Sequence, residues 1–296
     1  MSPASEMLPS LAGPQPSLSL ILLTNNVRPE MEALTLALSA VARQTYPCLE
    51  IILVDDTEGQ DLREQLGQTW GDALSGYRVI STGGRRGPSI ARNLGAFSSE
   101  GEVVVFLDGD TILCGDDSLA VVAARAGSAG YGFGAQRYWS YPPGRVEAEF
   151  GEYLARTELG AYDWLLAPMR SVLPTGLDRS TGFRDLLDFS FPGNFGFVRR
   201  QLFEAVGGFH PGFRSPGWED DYFAYCLFRQ EPAGFAFLGD ALRVLHVNHP
   251  RPMDARSRNR KRYKALLAAD GVRAFNINVL LRLSDYPGEL VLEMSS

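Results

Sequence analysis

The sequence predicts a doubly wound α/β fold, in which helices cover both faces of a sheet of parallel strands. Continuously apolar runs predict the strands, and stretches with helical periodicity separate these runs. Strands that are apolar on both sides belong to sheets that are buried on both faces. The four runs are residues 18–23, 49–54, 77–80 and 103–107.

Polar clusters follow three of these strands and are the first sign of a function. They are TNN at 24–26, DD at 55–56 and DGD at 108–110. Parallel strands end at the same edge of a sheet, and ligands of doubly wound sheets bind beyond that edge. The sequence therefore predicts that these clusters line one ligand site.

The remaining elements follow from periodicity and turn residues. Pro29 suits the first turn of a helix whose apolar residues recur at helical spacing up to Val41, and the pair Tyr46-Pro47 ends that helix. The same reasoning predicts helices at 60–70 and 88–97, a strand followed by a helix over 195–206, a helix over 219–228 and a strand at 244–247.

The chain is interpreted as one compact domain without internal repeats. Residues 1–17 are expected to be a flexible leader, because they have neither the positive segment nor the long apolar segment of a signal peptide. Residues 131–190 are rich in aromatic residues, Gly and Pro, which favours loops, a lid or the wall of a binding site. A basic extension begins at residue 251.

Composition and charge exclude several classes of protein. The 296 residues are 45% hydrophobic and 21% charged, which is typical of a globular protein. The formal net charge of -7 disfavours a protein that binds nucleic acid mainly through phosphates. The three cysteines lack disulfide or zinc spacing, and no apolar run approaches the roughly 20 residues that span a bilayer. We therefore expect a soluble, cytoplasmic protein.

The DGD motif carries a metal-binding signal. Two carboxylates two residues apart on a turn, Asp108 and Asp110, can face one divalent cation, and Mg²⁺ or Mn²⁺ bound in this way keeps positions for substrate phosphates. The alternative is an ordinary β-turn with Asp at favoured positions. Asp55 and Asp56 could accept hydrogen bonds from a nucleotide base or a ribose. The alternative is that they cap the N-terminus of the next helix.

Two predicted helix N-termini carry further candidates. The helix at 88–97 begins beside Arg85, Arg86 and Arg92, which suits a phosphate group, although a solvated basic loop is the alternative. The WEDD motif at 218–221 places three acids in succession, and their repulsion favours a raised pKa and a general base. An acid-rich helix N-terminus is the alternative there.

Taken together and in this order, the motifs resemble those of the inverting glycosyltransferases with the GT-A fold, and among them the family 2 type. The resemblance covers about residues 18–250. Beyond the three strand-end clusters, it rests on GPSIARNLGA at 87–96, GNFGFVRR at 193–200, VGGF at 206–209 and GWEDD at 217–221. The segment 207–221 also resembles β-1,4-galactosyltransferases and polypeptide GalNAc-transferases.

This resemblance implies the fold and the division of labour along the chain. The fold would be a Rossmann-like, doubly wound mixed sheet in a single compact domain with a lid or acceptor subregion. Residues 18–130 would bind the nucleotide sugar, and residues 131–250 would bind the acceptor and carry the catalytic groups. Residues 251–296 would present a solvated helix face, close over the diphosphate or contact the inner face of an anionic membrane.

The resemblance also implies residue roles. Asp220 would be the catalytic base, and Glu219 would hold the acceptor or the base. Asp110 and His246, together with Asp108, would ligate Mn²⁺ or Mg²⁺, with His249 as the fallback. The residues assigned to the nucleotide sugar are Thr24, Asn25, Asp55, Asp56, Arg92, Asn93, Asp108, Gly193, Asn194 and Trp218. Candidates for stacking on a sugar are Trp218, Tyr138, Trp139 and Trp164, with packing in the core as the alternative for each.

The implied reaction is an inverting, metal-dependent transfer of one sugar. The donor would be a nucleotide-diphosphate sugar, with UDP favoured by family habit, and the acceptor a carbohydrate, a lipid-linked molecule or a small molecule. No QxxRW segment follows Asp220, which argues against a processive synthase. A nucleotidyltransferase or a dehydrogenase would need a glycine-rich motif after the first strand, and none is present. The alternative is a homologue that binds glycans or nucleotide sugars without catalysis.

Overall fold

The structure of the chain is a computed structural model. It describes residues 15–25, 30–47, 50–58, 76–84, 86–139, 191, 193–238, 242–247, 253–272, 274–276 and 293–295. Several predictions lie outside these residues: most of the leader, the helix at 60–70, the lid over 140–190, Trp164 and His249.

A seven-stranded mixed sheet forms the centre of the fold, with the strand order β3-β2-β1-β4-β8-β6-β9. The predicted strands β1 to β4 lie parallel to one another, and β8 runs antiparallel to β4 and to β6. The strands are β1 (Leu18–Thr24), β2 (Glu50–Asp55), β3 (Tyr77–Ser81), β4 (Val103–Asp108), β6 (Tyr131–Phe133), β8 (Phe195–Arg199) and β9 (Phe235–Phe237).

A second sheet of three strands, in the order β5-β10-β7, lies next to the DGD motif. Its strands are β5 (Thr111–Leu113), β7 (Ala135–Trp139) and β10 (Arg243–Val247). The expectation of loops was wrong for β6 and β7. Their ladders form with β8 and β10, which lie far along the chain, so local composition gave no sign of them.

Six helices are described in the structure, and they include the helices predicted near 29–41, 88–97 and 219–228. They are α1 (Glu30–Ala42), α2 (Pro88–Phe97), α3 (Ser118–Ala126), α4 (Arg200–Ala205), α5 (Glu219–Gln230) and α6 (Met253–Ala269). Two short strands, β11 (Ala274–Asn276) and β12 (Glu293–Ser295), pair with each other. Within the described part of the chain, no helix has the length and apolarity needed to cross a membrane.

The central sheet has a hydrophobic core on each face, as the apolar strands predicted. Leu20 and Leu22 of β1 pack with α1 and α3, whereas Ile21 packs with α2, α4 and α5. Helix α2 lies especially close to the sheet, because a β-carbon on Gly95 would collide with the side chains of Ile21 and Val54. This close packing fixes the first turns of α2 beside the ends of the strands.

Candidate active site

The polar clusters meet at the carboxyl edge of the central sheet, as their strand-end positions predicted. Strand β1 lies between β2 and β4, which pairs Thr24 with Asp55 and Leu23 with Asp108. Thr24 and Asp55 are buried, and Asn25 is exposed just beyond the strand. The edge therefore presents both hydrogen-bonding groups and carboxylates to one region.

The two acids at the end of β2 organise the backbone around them. Asp55 accepts a hydrogen bond from the backbone N–H two residues later, at 2.9 Å. The carboxylate of Asp56 accepts from the Thr82 hydroxyl at 2.6 Å and from the N–H groups of Arg86 and Gly87 at 2.8 and 2.9 Å. Asp56 thus fixes the backbone at Arg86 and Gly87, directly before α2. The nucleotide contacts assigned to both acids stay a prediction.

Arg92 is the centre of the site. Its Nη2 donates to both carboxylate oxygens of Asp108 at 3.0 Å, and its Nη1 donates to Asp220 Oδ1 at 3.3 Å. Glu219 Oε1 lies 3.7 Å from the same Nη1. One guanidinium group from α2 therefore brings the first acid of DGD together with the two acids that begin α5.

Exposure divides these four side chains into two layers. The side chains of Arg92 and Glu219 are each 4% exposed, whereas those of Asp108 and Asp220 are 25% and 29% exposed. Arg92 and Glu219 form the buried layer, and Asp108 and Asp220 form the more exposed layer. Asp108 and Asp220 are therefore the groups of this cluster that can reach a substrate.

Burial and mutual charge shift the ionisation of the cluster. Burial raises the pKa of Asp108 to about 7, and the attraction of Arg92 opposes that rise. Burial also raises the pKa of Glu219 to about 8, and the charge of Asp220 adds to the effect. Burial alone would lower the pKa of Arg92, but attraction to Asp108, Asp220 and Glu219 outweighs it and raises that pKa. Arg92 is therefore a permanent cation, and the raised pKa favours the protonated form of Glu219.

The backbone before α5 is strained where it delivers the acids. Gly217 has a φ of 106°, and Trp218 has a φ of 71°, which a non-glycine residue rarely adopts. The Trp218 ring packs on that of Tyr263 of α6, at 5.1 Å between centroids, and the Arg260 guanidinium lies 5.7 Å from its centroid. Strain of this kind concentrates at functional sites. The structure anchors Trp218 on α6, and its contact with a sugar stays a prediction.

Asp110 and His246 also come together. Strand β10 pairs with β5 so that His246 lies opposite Thr111, and His246 Nε2 is 3.6 Å from Asp110 Oδ2. Both side chains are largely buried. The predicted set of three metal ligands is not assembled, because Asp108 turns both oxygens to Arg92, and no group of three acidic, histidine or cysteine side chains placed to hold a metal occurs among the described residues.

Residues 193–194 support the cluster from β8. A β-carbon on Gly193 would collide with Asp220 Oδ1 and with the Arg92 guanidinium, so any larger residue would displace the cluster. The Asn194 carbonyl accepts a hydrogen bond from the N–H of Asp108 at 3.0 Å. These positions place both residues at the site, and their contacts with the donor sugar stay a prediction.

Asn93 has a structural role that the sequence did not reveal. Its side-chain amide donates to the Phe209 carbonyl at 2.7 Å and accepts from the Phe209 N–H at 2.8 Å. The Phe209 ring in turn lies under the Arg92 guanidinium, 5.4 Å from it. Asn93 thus fixes the VGGF turn beneath Arg92, and its assignment to the nucleotide is untested.

Comparison with known proteins gives the class of the chain. Residues 19–180, more than half of the chain, match the family described as Glycosyl transferase family 2. The chain therefore belongs to glycosyl transferase family 2. Glycosyltransferase AglE of Haloferax volcanii is 33% identical over 82 residues, which make up 27% of each protein.

Solved structures confirm the GT-A fold. TarS of S. aureus matches over 86% of this chain, with a TM-score of 0.55 and 17% identity, and the match covers 39% of TarS. GalNAc-T7 with UDP, GalNAc and Mn²⁺ matches over 85% of this chain, with a TM-score of 0.58 and 14% identity, and the match covers 48% of that protein. The chain thus spans less than half of the length of these relatives. The galactosyltransferase-like character of the WEDD segment stays a prediction.

Proposed function

We propose that the protein transfers one sugar from a nucleotide-diphosphate sugar, with UDP as the nucleotide, to an acceptor hydroxyl with inversion at the anomeric carbon. The observation that carries this proposal is the Arg92 guanidinium, which holds Asp108 of DGD and Asp220 of WEDD at one edge of the sheet. A donor-side acid and a candidate base are thereby fixed relative to each other. Family membership supplies the reaction class.

Asp220 is the general base of the proposed reaction. Its carboxylate takes the proton of the acceptor hydroxyl while the hydroxyl oxygen bonds to the anomeric carbon. The bond from that carbon to the diphosphate oxygen breaks on the opposite side, and the nucleoside diphosphate leaves with the electron pair. A single displacement inverts the configuration. Glu219 lies buried beside Asp220 and is a positioning residue in this scheme.

Mn²⁺ or Mg²⁺ fits the pair formed by Asp110 and His246. The Asp110 Oδ2 and His246 Nε2 atoms lie 3.6 Å apart, so both side chains would contact one cation bound beside them. Carboxylate oxygen and imidazole nitrogen are suitable donors. When bound, the cation would neutralise the charge that develops on the leaving diphosphate.

Two solved structures support the choice of nucleotide and metal. TarS 1–349 has been crystallised with UDP, and it matches over 86% of this chain with a TM-score of 0.55 and 17% identity. The GalNAc-T7 structure contains both UDP and Mn²⁺. We assign the same nucleotide and the same metal to this chain by analogy of fold. The cytoplasmic location also stays a prediction.

Thermal shift with a panel of UDP-, GDP- and dTDP-sugars, each with and without Mn²⁺, tests the donor site. A ligand that binds the native state raises the unfolding temperature. We expect UDP-sugars to raise it when Mn²⁺ is present, and Asp110→Ala to abolish the increase. Asp117→Ala is the matched control, because Asp117 is exposed and makes no side-chain capping bond to α3. A wild-type protein that no nucleotide stabilises would contradict the proposal and favour a glycan-binding homologue.

A further inference from the structure

A basic cavity of about 670 Å³ lies between the segment 211–215 and α6. Three arginine side chains line it: Arg214 from the segment, and Arg258 and Arg262 from α6. Its lining residues are separate from Asp110 and His246, which the proposed function assigns to the metal and the donor. The cavity therefore has no role in the mechanism described above.

Among the residues that the structure describes, no acid neutralises the positive charge in this cavity. Within the described ranges of the chain, no carboxylate lies within 4.0 Å of the guanidinium nitrogens of Arg214, Arg258 or Arg262. All three side chains belong to exposed residues, while the chain as a whole carries a net charge of -7. Three guanidinium groups around one concavity repel each other unless an anion lies between them. The charge pattern therefore points to an anionic ligand.

The walls of the cavity are fixed to each other. Asn259 of α6 is 5% exposed, and its side-chain N–H group donates to the Ser215 carbonyl at 2.7 Å and the Gly217 carbonyl at 2.9 Å. The Arg262 guanidinium lies against the backbone of Gly212, where a β-carbon would collide with it. The spacing between α6 and the segment is thus built into the fold, as expected for a formed binding site.

One wall of the cavity leads along the chain into the candidate base. Ser215 and Gly217, which Asn259 holds, directly precede Trp218 and the two acids that begin α5. Beyond the segment, the chain also contacts α6 where the Trp218 ring packs on the Tyr263 ring. A ligand in the cavity would therefore contact the segment of the chain that leads into Asp220.

We propose that this cavity binds a phosphate group carried by the acceptor. The forked guanidinium groups of arginine match phosphate oxygens, and three of them suit its multiple charge. The volume is typical of a small-molecule site, and a concave shape fits a discrete phosphate group better than the flat surface of a membrane. The assignment of this phosphate group to the acceptor rests on the proposed function, whereas the binding of a phosphate group does not.

Titration with methyl phosphate, observed by ³¹P NMR line broadening, tests this inference. The titration is run on the full chain alone and again with saturating UDP and Mg²⁺, which occupy the donor site. We expect the double variant Arg258→Gln, Arg262→Gln to bind methyl phosphate at least 10-fold more weakly than the wild type. Arg214→Gln tests the opposite wall and should weaken binding in the same direction. Arg125→Gln, at an exposed residue of α3, is the matched control and should bind like the wild type.

Three results would overturn the inference. The first is a double variant that binds methyl phosphate as tightly as the wild type. The second is a double variant that loses UDP affinity 10-fold, which would assign the cavity to the donor diphosphate. The third is arginine-dependent binding to phosphatidylglycerol vesicles without binding of methyl phosphate, which would assign the patch to a membrane. A wild-type protein that binds methyl phosphate but no UDP-sugar would contradict the proposed function and leave this inference standing.

Discussion

Asp108 and Asp220 are bound to different nitrogens of one guanidinium group, that of Arg92. Asp108 accepts from Nη2 at 3.0 Å, and Asp220 accepts from Nη1 at 3.3 Å. Two motifs that are far apart in the sequence therefore share one rigid cation. Because Arg92 is held by α2 and buried against the sheet, the donor-side acid and the candidate base keep a fixed spacing.

Replacing Arg92 should destabilise the fold strongly. Arg92→Met leaves the Asp108 carboxylate without its cation, and breaking a buried pair in this way costs about 3–5 kcal/mol. Arg92→Lys keeps the charge but cannot donate to both acids in the same geometry. We expect it to unfold at an intermediate urea concentration, with most of the activity lost.

Urea unfolding measures this prediction, with Arg125→Gln as the surface control that should match the wild type. If Arg92→Met unfolds at the wild-type urea concentration, the guanidinium is not the element that holds the acids together.

The role of Asn93 can be separated from nucleotide binding. Asn93→Ala removes both hydrogen bonds to the backbone of Phe209, which is fully buried. Leaving such groups unsatisfied costs about 1–3 kcal/mol. We expect the free energy of unfolding to fall by that amount, while calorimetry shows UDP affinity within twofold of the wild type. Unchanged stability with a 10-fold loss of UDP affinity would instead support the nucleotide contact predicted from the sequence.

Asn93 and Arg92 also show where sequence reasoning stops. Local patterns predicted the strands and the meeting of their polar ends, because apolar runs and parallel topology decide both. Arg92 contacts acids 16 and 128 residues away, and Asn93 contacts a residue 116 away. Nothing in their local sequence distinguishes such residues from the phosphate-binding residues that a basic helix N-terminus suggests.

The family resemblance predicted one contact that local sequence patterns could not predict. It paired His246 with Asp110, and the structure places the two side chains together through the ladder between β10 and β5. It also made Asp108 a metal ligand, whereas Asp108 points both oxygens to Arg92. A motif names the residues at a site, but long-range packing decides which neighbour each carboxylate meets.

The stability of the protein should fall as pH rises, partly through Glu219. Burial raises the pKa of Glu219 to about 8 from a usual value near 4.5, so the native state keeps a proton that the unfolded state releases. The free energy of unfolding therefore decreases between about pH 5 and pH 8. Asp108, with its pKa raised to about 7, contributes in the same direction.

Glu219→Gln isolates the contribution of Glu219, because glutamine resembles the protonated acid. Urea unfolding at several pH values from 5 to 9 should give a shallower decrease for this variant than for the wild type. An equally steep decrease in both proteins would show that Glu219 is ionised in the native state at neutral pH.

The most direct test of the account is the rate of UDP release from a UDP-sugar with Mn²⁺ in the Asp220→Asn variant. A general base contributes about 10²–10⁴ in rate, so we expect kcat to fall by that factor. The affinity for UDP and Mn²⁺ should stay within twofold of the wild type, because Asp110 and His246 are unchanged. A variant that keeps more than about one tenth of the wild-type kcat would contradict the assignment of Asp220 as the base.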